Sequence, residues 1–163
     1  MRSNRGFTLF ELLVVMALIT ILSAISIPVM MESVGRNAAW TASEQIGSQI
    51  RQARLKAISR NRNFRVRFDC PAVGQFRVLV VTGDPTVDNA ADRCSNTVQF
   101  DSGIYQMPER VTYTDPPPLL EVTSRGLFTS DLGIPTTIGV TYNGVSTRNL
   151  TVSLTGQITF DVY

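Results

Sequence analysis

A basic leader, a glycine, a phenylalanine and, four residues later, a glutamate are the residues whose types and spacing point to chemistry. They are Met1-Arg2-Ser3-Asn4-Arg5, Gly6, Phe7 and Glu11. The glutamate stands inside Phe7-Thr8-Leu9-Phe10-Glu11-Leu12-Leu13-Val14-Val15, a run apolar enough to sit in a bilayer. A lone acid in such a segment is costly, rare and usually functional. The pattern describes a chain that is processed, held in a membrane and packed against copies of itself.

The other reactive side chains exclude more than they suggest. There is no histidine, and Lys56 is the only lysine, so the common general-base and Schiff-base options nearly vanish. No Gly-x-Ser-x-Gly, phosphate-binding glycine loop or acidic metal cluster is present. Asp84, Asp88 and Asp92 recur every fourth residue without the alternate-residue pattern of calcium loops, and read as solvated loop acids. The chain is therefore not expected to be an enzyme, or to hold a metal or cofactor. Two cysteines, Cys70 and Cys94, cannot make a standard zinc site without histidine. An anchor oriented by a basic N-terminus leaves them outside the cytoplasm, where a Cys70–Cys94 disulfide is expected. It would close a loop of about 25 residues and add roughly 3 kcal/mol in the chain-entropy model. The alternative is two unpaired buried thiols.

These residues need elements to position them. Of 163 residues, 44% are apolar and 17% charged, which fits one globular domain with a hydrophobic anchor. The formal charge of +2 includes Arg2 and Arg5; without that leader thirteen basic and thirteen acidic side chains remain, so the basic pI is no argument for an acidic partner. From Leu12 to Met31 no residue is charged, a length of about 30 Å as a helix and one bilayer core. A secretory signal peptide is the competing reading, but Glu11 interrupts its apolar region and the stretch is too long. Beyond Met31, Ile46, Ile50, Ala53 and Ala57 recur at helical spacing, with charged and amide side chains on the other sides. One helix of about 80 Å is expected from Leu9 to Arg60, bent near Pro28.

After Asn61-Arg62-Asn63 the period becomes two. Phe64, Val66, Phe68 and Cys70 alternate with Arg65, Arg67 and Asp69, and Gln75–Thr82 reads as the return strand of a hairpin. Thr82–Asn96 reads as a polar surface loop. Further strands are expected at Val98–Phe100, Val111–Tyr113, Leu127-Phe128, Thr137–Tyr142, Asn149–Leu154 and Gln157–Val162. Turns fall at Asn143-Gly144 and Thr155-Gly156, and Pro116-Pro117-Pro118 is a stiff connector. Phe64, Phe68, Phe76 and Phe100 are expected in the core. Trp40 fits either a headgroup-level position or a packing contact. The fold class is α+β: a long N-terminal helix packed on an antiparallel β domain.

Arg5-Gly6-Phe7-Thr8-Leu9-Phe10-Glu11-Leu12 resembles the class III signal of type IV pilins and type II secretion pseudopilins. The resemblance implies cleavage after Gly6 by an inner-membrane prepilin peptidase, N-methylation of Phe7, an assembly role for Glu11 and a helix-bending role for Pro28. Physically, a small residue before the cut leaves room in a peptidase site, and cleavage gives Phe7 a positive amine. In a filament of staggered parallel helices, Glu11 can pair with that amine on a neighbour, which removes the cost of an isolated carboxylate. Ile50–Asn61 and the closing Leu150–Phe160 resemble the GspH/FimT class of minor pilins, except that Gln157 stands where arginine often follows the glycine. The fold this implies is pilin-like: residues 1–6 a leader, 7–31 a transmembrane and assembly helix, 32–62 its amphipathic continuation, and 63–163 a β-rich head.

Some members of that class bind DNA. The candidates here are Arg51, Arg54, Lys56, Arg60 and Arg62, on a stretch with no acid between Glu44 and Asp69, together with Arg125 and Arg148. The helical positions spread over more than half the circumference, so a solvated face with subunit contacts is the simpler reading. The expected function is a minor pilin-like subunit of a pilus or pseudopilus, placed at initiation or at the tip. The alternatives are a DNA-binding minor pilin for transformation and a type II secretion pseudopilin. Expected partners are other pilin subunits, the peptidase, the inner membrane with its assembly platform, and DNA in the transformation reading. The expected location is single-pass in the inner membrane with the head outside the cytoplasm, then the pilus. Gly6→Val should leave an uncut precursor, read as the retained leader by mass spectrometry. Normal processing of that variant would refute the peptidase assignment.

Overall fold

The computed structural model describes residues 8–144 and 146–161. Gly6 and Phe7 lie outside them. The chain divides into two compact units, residues 1–34 and 35–163. One helix, α1 (Leu9–Arg60), supplies the described part of the first unit and the opening of the second, and Pro28 lies inside it.

In the first unit α1 starts at Thr8, whose hydroxyl accepts from the Glu11 N–H at 3.2 Å while its carbonyl accepts from Leu12 N–H at 3.2 Å. The few polar groups further on are turned inward on the helix itself. Thr20 Oγ1 donates to Ala17 O at 2.8 Å and Ser26 Oγ to Leu22 O at 2.9 Å. Such back-bonding satisfies these two hydroxyls within the helix, which suits a segment surrounded by apolar groups.

The second unit begins at Gly35. From there Ala39, Ala42, Ser43, Ile46, Gly47, Ile50, Ala53 and Ala57 line one buried stripe of α1 at helical spacing. Against it lie two antiparallel sheets. The first has strand order β3-β2-β1-β5-β6, built from β1 (Phe64–Phe68), β2 (Gln75–Val80), β3 (Tyr105–Gln106), β5 (Leu120–Val122) and β6 (Phe128–Ser130). The second has order β4-β7-β8-β9, from β4 (Val111–Tyr113), β7 (Thr136–Tyr142), β8 (Ser146–Val152) and β9 (Ile158–Phe160). One core joins all three layers: Ile46, Ile50 and Ala53 of α1, Phe64 and Val66 of β1, Ile138 and Leu150 of the second sheet.

Two glycines inside α1, Gly35 and Gly47, have a packing reason. A Cβ on Gly35 would stand 2.8 Å from Tyr142 Cδ1, and one on Gly47 would stand 3.1 Å from Phe160 Cζ. Their small size lets rings of the second sheet approach the helix backbone.

The helix bounds and the first hairpin agree with expectation, with Phe64 opposite Val80 and Phe68 opposite Phe76. Asn143 and Gly144, with φ of 50° and 71°, turn β7 into β8 as the Asn-Gly signal predicts. The triproline leaves the second sheet after β4 and delivers the chain to β5 of the first. Phe64 and Phe76 are fully buried, while Phe68 and Phe100 pack partly buried against the core.

Other expectations are corrected. Val98–Phe100 is not a strand: the Asp101 carboxylate accepts from Val98 N–H at 2.8 Å, and Phe100 has φ of 80°. The strand that pairs with the other edge of β2 is instead β3, and neither β3 nor β5 was among the expected strands. Thr82–Asn96 is not a plain surface loop. It contains α2 (Pro85–Asp88) and buries Asp88 and Arg93.

Two glycines separate backbone strain from packing. Gly156 has φ of +76°, and a Cβ there would lie 2.6 Å from Cε2 of the fully buried Phe128; Gly83 has φ of +88° and nothing within 4 Å. Gly83→Ala should cost only the left-handed strain of about 1–2 kcal/mol. Gly156→Ala should cost that plus overpacking, about 2–5 kcal/mol in total, read by urea unfolding.

Candidate functional site

Two regions carry the functional candidates. The first is the apolar end of α1. Every described residue from Thr8 to Val34 is exposed within this chain, and the segment is long and apolar enough to cross a membrane by length and composition. Glu11 lies in the first helical turn, three residues after the capping Thr8. Thr-x-x-Glu is the spacing of a capping box, a signal present in the sequence and missed there. The helix dipole favours a carboxylate at this position before any partner arrives. Pro28, further along, removes one backbone donor from the helix ladder.

The second region is the loop between β2 and β3. Cys70 and Cys94 are disulfide-bonded across 24 residues, as expected. The loop is also held by arginines that the sequence reading did not single out. Arg93 forms a buried ion pair with Asp101: Nη1 donates to Oδ2 at 2.6 Å and Nη2 to Oδ1 at 2.9 Å. Its Nη2 also donates to Val80 O at 3.0 Å, which ties the loop to the edge of β2. Arg77, itself only 3% exposed, donates to the carbonyls of Cys94 and Ser102 and to the Thr97 hydroxyl.

The three spaced aspartates do separate structural work. Asp84 caps α2 by accepting from Thr86 N–H, and Asp92 accepts from the Asn96 amide. Asp88 is not a solvated acid but is buried, accepting from Thr82 N–H, Thr82 Oγ1 and Gly83 N–H, each at 2.9 Å. Among the described residues no group of three or more such side chains is arranged for a metal ion.

The basic candidates do not converge. Arg51 is exposed, and Arg54 Nε donates to Gly126 O at 3.0 Å, which places it beside the exposed Arg125. Lys56 is half-buried, while the guanidinium carbons of Arg60 and Arg62 lie 5.0 and 5.8 Å from the centre of the Phe100 ring. Arg148 is elsewhere: its guanidinium carbon is 3.5 Å from the Trp40 ring centre and 5.3 Å from that of Phe160. Trp40 and Arg60 are twenty residues apart on one helix, about 30 Å. Trp40, 48% exposed, is thus a stacking platform for Arg148.

The Asp101–Arg93 pair makes the head sensitive to acid. Burial pushes the Asp101 carboxyl up, but this is outweighed by the bond from Arg93, the Val98 and Val80 N–H groups and the Arg93 charge, so its pKa is lowered. The native state therefore favours the ionised form. Its contribution is complete above the unfolded value of about 3.9 and is lost as pH falls through the folded value. Stability should drop below about pH 4, and Asp101→Asn should flatten that drop. At pH 7 the same variant leaves Arg93 buried without its partner and should cost about 3–5 kcal/mol by urea unfolding.

Comparison with known proteins places this geometry. Residues 1–27 match the prokaryotic N-terminal methylation motif, and residues 42–156 match the family of type II transport protein GspH. The minor pseudopilin EpsH from the type 2 secretion system of Vibrio cholerae has a similar fold, with a TM-score of 0.53 and 20% identity over 76% of this chain and 96% of that one. The type IV minor pilin FimU of Pseudomonas aeruginosa is similar at a TM-score of 0.54 and 18% identity, over 78% of this chain and 90% of that one. Among curated protein sequences none matches. The family match spans most of the chain, and its methylation motif lies on the Gly6-Phe7-Glu11 signal. The chain is a pilin-like protein belonging to the GspH family of type II transport proteins.

Proposed function

We propose that this protein is a low-copy subunit that is cleaved after Gly6, methylated on Phe7, and added through its apolar helix to a pilus or pseudopilus at initiation or at the tip. One observation carries the reading: α1 from Leu12 to Met31 is free of charge and rich in large apolar side chains, yet every one of those residues is exposed within its own chain. Such a surface needs either lipid or like helices around it. Both fit a subunit stored in the inner membrane as a single-pass protein, head outside the cytoplasm, and then drawn into a bundle. The similar folds of proteins described as a minor pseudopilin and a minor pilin support a minor role.

The mechanism is non-catalytic. Glu11, held in the first turn of α1, pairs with the Phe7 amine of a neighbouring subunit and so sets the stagger between parallel helices. The peptidase, which creates that amine, and the membrane assembly platform are the implied partners. A DNA-uptake role has less support, because the basic residues lie on separate parts of the head and Arg148 is engaged with Trp40. Salt-dependent DNA binding by the purified protein would restore that role.

Glu11→Ala should be inserted and cleaved normally yet fail to enter filaments, leaving processed protein in the membrane fraction. Normal incorporation of the processed variant in sheared pilus preparations would sink the register role.

A further inference from the structure

Where the buried stripe of α1 begins, the head carries an open recess of about 160 Å3. It is lined by Arg36, Asn37 and Trp40 of α1, by Ser146 and Arg148 of β8, and by Asp161 just after β9. Strand alternation supplies two of these residues. Leu150 and Val152 of β8 are buried in the common core, and Arg148, two residues before Leu150, continues that face to where the core ends. Asp161 is held beside β8, its N–H donating to Asn149 O at 3.1 Å.

Two rings fix the Arg148 guanidinium, whose central carbon is 3.5 Å from the Trp40 ring centre and 5.3 Å from that of Phe160. Ring contacts satisfy the flat face of a guanidinium, but its N–H donors point outward in its own plane and need acceptors. Among the described residues Arg148 has no such acceptor, and its Nε is buried without one. Its terminal nitrogens are not buried, so a ligand can reach them from solvent. Arginine donors in this arrangement suit a phosphate.

The recess also holds the opposite sign. Asp161 lines it without forming an ion pair with Arg148, and its carboxylate works against a plain anion. A ligand with a phosphate and an ammonium a few atoms apart answers both groups. Phosphoethanolamine is such a zwitterion, and its ammonium has N–H donors for the carboxylate, which the trimethylammonium of choline lacks. Arg36 comes five residues after Met31, where the uncharged run ends. A chain anchored through that run brings the recess within reach of the lipid headgroups, a step that rests on the membrane reading above.

We infer that this recess binds the phosphoethanolamine headgroup of a membrane lipid, its phosphate on the Arg148 Nη groups with Arg36 beside it, and its ammonium on the Asp161 carboxylate. The contact tethers the head to the bilayer while the subunit is stored there.

The test uses the full chain in a maltoside detergent, which has no phosphorus, and follows the phosphorus NMR line of added glycerophosphoethanolamine. Wild type should broaden that line and Arg148→Gln should not. Asp161→Asn should weaken binding about fivefold and abolish the preference over glycerophosphocholine. Arg62→Gln, whose side chain lies by Phe100 outside the recess, should bind as wild type does. Inorganic phosphate and dimethyl phosphate, which have no ammonium, should bind more weakly. Equal binding of either, broadening that survives Arg148→Gln, or an unchanged preference in Asp161→Asn overturns the inference. The lipid source is read from Trp40, the only tryptophan. In phosphatidylcholine vesicles its emission should change saturably as phosphatidylethanolamine is added. No change in a chain that floats with the vesicles overturns the inference and leaves the membrane reading standing; a chain that does not float overturns both.

Discussion

Ile46, Ile50, Ala53 and Ala57 of α1 are completely buried, and the head exists because two sheets close on that one stripe. Neither sheet has enough area to bury its inner face alone, with strands of two to seven residues. The helix supplies the missing layer. Its small residues set how closely it can be approached: alanines at 39, 42, 53 and 57, and glycines at 35 and 47 where Tyr142 and Phe160 press in. Burial of aliphatic side chains at about 25 cal/mol per Å2 gives the drive, and small neighbours let it act at short range.

The same helix obeys a different constraint before Gly35. There its side chains from Leu12 to Met31 are uncharged and exposed, and the Thr20 and Ser26 hydroxyls are satisfied by its own carbonyls. A helix can meet both conditions because its backbone bonds are internal and owe nothing to what surrounds them. Glu11 is the charged residue at the start of this apolar run, and its place in the first turn lowers its intrinsic cost without cancelling it.

The head answers its own electrostatic problem within the loop. Cys94 joins the loop covalently to the chain just after β1, while Arg77 of β2 reaches out to the loop, Arg93 reaches back to β2 and Asp101 closes the ring of bonds. Buried guanidinium groups are tolerable because nearly every donor finds a carbonyl or carboxylate. That density of polar contacts makes a segment without regular strands part of the folded structure.

Much of this was legible in the sequence. The extent of α1, the first hairpin, the Asn-Gly turn and the disulfide follow from local rules: helical and twofold periodicity, turn chemistry and compartment. The N-terminal methylation motif is equally local, since Gly6, Phe7 and Glu11 lie within six residues. What stayed hidden depends on contacts far apart in the chain. Arg93 looked like a loop charge because its partners, Val80 and Asp101, are distant or themselves polar. Val98–Phe100 looked like a strand because apolar residues flank a polar one, whereas an acid one position later captures its backbone. Trp40 had two readings until β8 brought Arg148 over its ring.

By itself, then, the amino-acid order determined that there is an apolar helix bearing an N-terminal methylation motif and a glutamate in its first turn, followed by an antiparallel β domain. Periodicity and spacing are properties of neighbouring residues and need no tertiary partner. Only the folded structure decided which strands share a sheet, which arginines are matched, and that Arg60 and Arg62 lie far from Arg148. Those are questions of charge and space between segments, and they are settled by packing around a common core.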